Sequence, residues 1–254
     1  MRLSEKQAPL NRLRKLLFDE YDAHYLRLNS LKSDSLNEVS YQERMPDYEA
    51  SYGHIVSGLP QGSKILDVGC GIGFLLFWLQ RSRPERFELV GVDISQPQIT
   101  LAKKHLPETV TLLNEKAADF LGRNPASFSA VFCTDVLEHI ETDDEMLEFL
   151  ECVRTSLLPS GLFICQVPNM ANVIGAYARY IDLTHVRGFT DISLLQLLEC
   201  AGFRECQIVR RKAADASQWL RLRAENSLHR VIYRICGVGN EEHFGRNLIG
   251  VGKA

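Results

Sequence analysis

Apolar residues along this chain change their spacing near residue 64. Before it they recur at helical intervals in a charged background: Leu13, Leu16, Leu17, Tyr21 and Tyr25, then Tyr48, Tyr52, Ile55 and Val56. That period predicts helices with short breaks over about 10–59, closed by Pro60-Gln-Gly62. From Lys64 onward, short apolar runs alternate with amphipathic segments. The runs predict strands over 64–68, 89–93, 110–113, 130–134, 162–167, 206–210 and 248–251. Helices are expected over 74–82, from Ser95 with Pro97 in its first turn, over 146–157, and over 191–201 before Gly202. Near-continuous apolar strands separated by helices predict a parallel sheet covered on both faces. The expected division is a helical cap over 1–62 and an α/β unit over 63–254, with a helical insertion at 213–245.

The insertion carries Trp219, Leu220, Leu222, Leu228, Val231, Ile232 and Ile235 interleaved with Arg221, Arg223, Arg230 and Arg234. Such a helix packs on its own domain with its arginines outward, or meets an anionic membrane surface or an acidic partner over 214–236. The rest of the composition is that of a soluble globular protein, 45% hydrophobic and 24% charged. A net charge of −3 offers no basic field to nucleic acid. The seven cysteines form no C-x-x-C pair and several lie in apolar runs, which reads as reduced thiols of a cytoplasmic protein. The charged N-terminus does not read as a signal peptide, and no apolar run approaches the roughly 20 residues of a membrane span.

Candidate chemistry begins where Ile65, Leu66 and Val68 run into Gly69, Gly71 and Gly73. Glycines between a strand and a helix let a ligand lie directly on backbone. The third glycine comes one residue too early for the dinucleotide pattern G-x-G-x-x-G, which argues against an oxidoreductase. Asp93 ends the second predicted strand, where a carboxylate can accept from both hydroxyls of a ribose or simply open the next helix.

Asp67-Val-Gly-Cys-Gly-Ile-Gly73 resembles the first motif of the class I S-adenosylmethionine (SAM) dependent methyltransferases, and the resemblance extends over about 45–210. It implies a Rossmann-like α/β fold: a seven-stranded, mostly parallel sheet with an antiparallel last strand, a helical N-terminal cap and a late helical insertion. It also implies SAM as cofactor, held by Asp67, Gly69, Cys70, Gly71 and Gly73. Asp67 would face the methionine end or orient the loop. Asp93 with Ile94 would take the ribose, Asp119 and Phe120 the adenine, and Thr134 would complete the contacts.

Asp135, Glu138 and His139 fall at i, i+3 and i+4, one face of a helical turn. Many methyltransferases share such a D-x-L-E-H-like sequence, in which the acids and histidine orient a loop or act directly. The pattern also resembles the E-x-x-E-H of two metal-dependent groups, small-RNA 2′-O-methyltransferases and those of ubiquinone biosynthesis, with Asp135 where those have Glu. That resemblance implies a divalent cation held by Asp135, Glu138, His139 and, as in the RNA enzymes, a distant histidine, for which His185 is the candidate. Oxygen ligands mixed with imidazole suit Mg²⁺ or Mn²⁺, although imidazole also suits Zn²⁺ and Fe²⁺. His185 also reads as a loop residue bonded to Asp182 or to backbone. A hydroxyl acceptor must lose its proton, to His139 or His185 as base or through a cation that lowers its pKa. An amine or carboxylate needs neither device, which favours O-methylation.

Val167-Pro-Asn169 and the segment from Asp182 to Thr190 resemble methyltransferases of bacterial polysaccharide and glycan clusters. The implied acceptor is a small molecule or glycan, with a sugar hydroxyl first. Its expected contacts are Tyr48, Tyr52, Asn169, Arg179 and Arg187, the arginines meeting phosphate or carboxylate. Arg187 paired with a loop acid, and the tyrosines as packing, are the alternatives. Rival functions are a methyltransferase of phenols, carboxylates or amines, and a catalytically silent SAM-binding scaffold of a glycan-assembly complex.

Overall fold

The computed structural model describes residues 38–213, 215–238 and 243–254; the helical pattern expected before residue 38 lies outside them. Helix α1 (Glu38–Val56) precedes β1 (Ser63–Val68), α2 (Phe74–Ser82), β2 (Phe87–Asp93), α3 (Gln96–His105), β3 (Thr111–Asn114), α4 (Ala117–Gly122) and β4 (Phe128–Thr134). A 3-10 turn (Leu137–His139), α5 (Asp143–Ser156), β5 (Leu157–Pro168), α6 (Gly175–Tyr180), α7 (Asp191–Cys200), β6 (Arg204–Val209), α8 (Ala216–Ile235) and β7 (Asn247–Lys253) follow.

The seven strands form one sheet in the order β3-β2-β1-β4-β5-β7-β6, with β7 antiparallel to both of its neighbours and the other pairings parallel. This is the expected architecture. Period-two alternation divides the core: Ile65 packs with Trp78, Phe77 and Tyr52 on one face, and Leu66 with Val131, Phe163 and Leu194 on the other. Helix α2 buries every residue from Phe74 to Leu79, so its apolar run is a core helix.

Two helix starts show their local causes. Ser95 caps α3 by accepting from the Gln98 amide, with Pro97 in the first turn. Thr142 and Glu145 form a reciprocal capping box that starts α5 at Asp143, three residues before the first apolar position suggested a helix. Gly202, at φ +84°, follows α7 as predicted.

Register sets the site. Val68 stands opposite both Val92 and Cys133, and Cys133 opposite Cys165. The residues that follow, Gly69, Asp93, Thr134 and Gln166, therefore emerge together at the carboxyl edge. Strand β1 lies between β2 and β4, the point where strand order reverses and where open α/β sheets bind ligands.

Candidate functional site

A cavity of about 340 Å³ opens at that reversal point, walled by the glycine loop, Asp67, Asp93, Ile94, Thr134, Asp135 and His139. The loop is held open by backbone geometry. Gly69 has φ +68°, and a Cβ there would stand 2.5 Å from Val136 Cγ2; at Gly71, φ +53°, it would stand 2.7 Å from Gln98 Oε1. Asp93 organises this loop: its Oδ2 accepts from the Gly71 amide at 2.8 Å and its Oδ1 from the Ser95 amide at 2.7 Å. A carboxylate has about four acceptor positions, so one that tethers the loop can also accept from a ribose hydroxyl. From behind, the buried Tyr41 hydroxyl of α1 donates to the Ile72 carbonyl at 2.7 Å. Asp67 lines the cavity floor, where burial and then the Asp93 charge push its carboxyl well above the usual range.

The adenine expectation does not fit this geometry. Asp119 is exposed in the first turn of α4, and Phe120 is buried against the Phe128 ring in the core. The cavity wall at that edge is Glu115, Lys116 and Ala117, one turn earlier than the acidic residue suggested. Gln98 is a further wall residue that pattern reading passed over: it is buried in α3 with its amide against the loop.

Beyond the cavity, Glu138, His139 and His185 converge. One potential ligand atom from each lies within 4.8 Å of the others, and the two imidazole centroids are 4.8 Å apart. Hydrogen bonds orient both rings. The Thr184 hydroxyl donates to Asp182 Oδ1 at 2.7 Å and so accepts from His139 Nδ1 at 2.8 Å. His185 Nδ1 donates to the Ala178 carbonyl at 2.9 Å. His185 therefore keeps its lone pair on Nε2, which stands 4.0 Å from Glu138 Oε1. Both Glu138 carboxyl oxygens are buried without a hydrogen-bond partner among the described residues. Burial, then the Asp135 charge, raises its carboxyl well above the ordinary range. Burial and then His185 push His139 down to about 4. Although burial opposes it, the Thr184 hydroxyl and amide hold the Asp182 carboxyl below its usual value.

This set could hold a divalent cation: two imidazoles and a buried carboxylate converge, with His185 anchored through its other nitrogen. Asp135 does not join it. The predicted helical face is absent, because Asp135 sits at φ +55° before a 3-10 turn and its carboxylate accepts from Gln166 Nε2 at 3.2 and 3.3 Å.

The expected acceptor contacts are mostly occupied by structure. Asn169 is fully buried; its amide donates to the His243 and Gly245 carbonyls, and its Oδ1 accepts from the Ala171 amide. Arg187 clasps the turn after His139, donating to the Ile140 and Glu141 carbonyls and to Asp143 rather than Asp182. Arg179 lies over the Tyr180 ring. Tyr48 borders the cavity and stacks on Trp78. Tyr52 is buried too deeply to stack on an acceptor, and burial raises its phenol well above the usual value. Instead its hydroxyl donates to Gln166 Oε1 at 2.8 Å, which directs the Gln166 amide N–H at Asp135. Tyr52→Phe should lower stability by about 1 kcal/mol and turnover several-fold at unchanged SAM affinity. Thermal melts, calorimetry and steady-state kinetics on the variant would check this, and a loss of SAM affinity would count against it.

The family model described as a methyltransferase domain matches residues 41–207, which include the glycine loop, Asp93 and the histidine pair. The chain belongs to this family. Among curated relatives of the methyltransferase domain, the ubiquinone biosynthesis O-methyltransferase of Paraburkholderia phymatum is 29% identical over 163 residues, covering 56% of this chain and 68% of that protein. Its counterpart in Aliivibrio fischeri is 34% identical over 82 residues, 31% of this chain and 34% of that protein. YqeM of Bacillus subtilis is 25% identical over 143 residues, 56% of each. The matches thus span from about a third to about two thirds of these relatives' lengths. A SAM-dependent methyltransferase from Archaeoglobus fulgidus superposes with TM-score 0.61 at 18% identity, over 86% of this chain and 100% of that one. Phosphoethanolamine N-methyltransferase 2 of Haemonchus contortus, solved with SAM, gives 0.55 at 16% identity over 82% and 51%. At these identities the superpositions establish the methyltransferase fold.

Proposed function

We propose that this methyltransferase domain transfers the methyl group of SAM to a hydroxyl that lies beside a second oxygen, with a sugar or glycan as the first acceptor class. The observation that carries the reading is Glu138, whose two buried oxygens lack hydrogen-bond partners among the described residues and lie with two imidazoles beside the cavity. Relatives named as O-methyltransferases support an oxygen acceptor. They also favour a second reading, in which the hydroxyl belongs to a non-carbohydrate small molecule.

SAM supplies a sulfonium-activated methyl group, so the protein's part is alignment and proton removal. The glycine loop offers bare peptide to the cofactor, Asp93 accepts from its ribose, and Asp67 faces the inner end of the cavity. Glu138, His139 and His185 would hold a divalent cation. The chemistry it would supply there is a lowered pKa for an oxygen acceptor. His139 alone is a poor base at a pKa of about 4, which favours this ligand role over direct proton abstraction. Tyr52 and Gln166 steady Asp135 at the boundary between the two halves of the site.

Two measurements test the reading. Calorimetry with Mg²⁺ or Mn²⁺ on metal-free protein should show saturable binding that His185→Ala abolishes. Turnover of an acceptor found by incubating glycan and small-molecule pools with deuterated-methyl SAM should fall at least about a hundredfold with EDTA and return with the metal. Turnover that survives both EDTA and His185→Ala would defeat the cation, and an amine product would defeat O-methylation.

A further inference from the structure

The late insertion presents a surface the methyl-transfer reading does not use. Helix α8 runs 20 residues with one buried side chain, His229. That residue and its inner-face neighbours attach the helix. His229 Nε2 accepts from the Val173 amide at 3.1 Å, its ring stacks on Phe244, and the Tyr233 hydroxyl donates to the Ala171 carbonyl at 2.6 Å. Opposite this anchored face, Leu220, Ala224, Leu228, Val231 and Ile235 follow each other at helical spacing as one stripe. Leu220 is 61% exposed, Leu228 56%, Val231 55% and Ile235 79%. Arg223, Arg230 and Arg234 form a row along one side of the stripe, and Arg221 stands on the other. The acid of the central turns, Glu225, points inward to Asn172. Arg223 lies over Trp219, 4.6 Å from the ring, at the helix's N-terminal end.

We infer that α8 docks on an anionic phospholipid surface. An exposed apolar stripe bordered by arginines, with an indole at one end, matches what lies in the plane of a bilayer interface: side chains enter the acyl boundary and guanidinium groups meet lipid phosphates. No helix among the described residues, α8 included, is long and apolar enough to cross a membrane, so α8 would lie on the surface. A second copy fits this face less well, because pairing the stripes would bring arginine rows together. The surface also continues toward the histidine pair. The 171–173 segment pinned by α8 leads into α6, where Tyr177 and Tyr180 are exposed, and then to exposed Leu183 beside Thr184, the partner of His139. A docked domain would therefore present that pair to an acceptor held in the bilayer; this last step rests on the methyl-transfer reading, whereas the docking does not.

Co-sedimentation of the full chain with vesicles of phosphatidylcholine, alone or mixed with phosphatidylglycerol, tests the inference. The protein should pellet with the anionic vesicles only, and less so as salt rises. Removing all three cations as R223Q/R230Q/R234Q should weaken binding roughly a hundredfold, at about fivefold per arginine. L228E/V231E should abolish it while leaving melting temperature and calorimetric SAM affinity unchanged. Failure to pellet, or equal binding to both vesicle types, would overturn the assignment. So would a lipid-free dimer dissolved by L228E/V231E, or a lowered melting temperature in that variant, since either would show the stripe already covered by protein. Loss of methyl transfer with vesicle binding intact would sink the catalytic reading alone.

Discussion

Glu138→Gln should all but abolish methyl transfer and yet make the metal-free protein more stable at neutral and alkaline pH. The carboxyl is buried, neither oxygen has a hydrogen-bond partner among the described residues, and His185 Nε2 stands 4.0 Å away. Burial, reinforced by the Asp135 charge, lifts its pKa well above the ordinary carboxylate value. The sign of the pH effect follows. Between the ordinary pKa and the raised one, the folded state holds a proton that the unfolded state has released, so stability falls as pH rises through that window. Glutamine has no such slope. At pH 8 the variant should be the more stable by about 1–3 kcal/mol, a rise of a few degrees in melting temperature. Turnover should drop at least about a hundredfold, because the amide supplies no anionic oxygen to the donor set. Added Mg²⁺ or Mn²⁺ should raise the melting temperature of the wild type and leave the variant's unmoved. Thermal denaturation of both proteins from pH 5 to 8, with and without metal, decides the matter. A variant less stable at pH 8, or one with undiminished turnover, would show that Glu138 is a satisfied structural residue.

How much of this was legible in the chain depended on the range of the interactions involved. The sheet was, because each strand carries its own apolar run and each helix its own period. The glycine loop and Asp93 were, because a backbone that must bend at Gly69 and Gly71 leaves its mark on consecutive residues. Spacing misled where it assumed an α-helical turn: Asp135 at positive φ breaks the i, i+3, i+4 face that its letters suggested. Asp119 misled for a related reason, since its neighbour Ala117 already begins α4 and carries the acid away from the cavity. Polar residues assigned to the acceptor turned out to bond over long stretches of chain, as Asn169 does to Gly245 and Arg187 to Asp143. Such pairings leave no local pattern. Gln166 went unnoticed because it is one polar letter inside a strand, and only the fold sets it between Tyr52 and Asp135. The exposed stripe of α8 needed the structure as well, because an amphipathic period names two faces without saying which is buried.

Asp93→Asn should cost the protein most of its SAM affinity. Both carboxylate oxygens already accept backbone amides, from Gly71 on one side and Ser95 on the other. An asparagine offers one oxygen and an NH₂, so one of these amides would face a donor, and the loop or the start of α3 would lose its tether. The same change removes an acceptor for a ribose hydroxyl. Each loss is worth about 1–3 kcal/mol, and together they predict a fall of roughly thirtyfold to ten-thousandfold. The two contributions are separable. Hydrogen exchange at the Gly71 amide, measured without cofactor, should quicken in the variant if the carboxylate organises the loop, and calorimetry with SAM reports the sum. Asp119→Asn is the matched control, an equally conservative change at an exposed acid outside the cavity, and it should leave SAM affinity untouched. If the control loses as much affinity as Asp93→Asn, the cofactor lies elsewhere along the sheet edge and the cavity described above is not its site. If only Asp93→Asn loses it, and Gly71 exchange rises with it, then one carboxylate both shapes the glycine turn and reads the sugar.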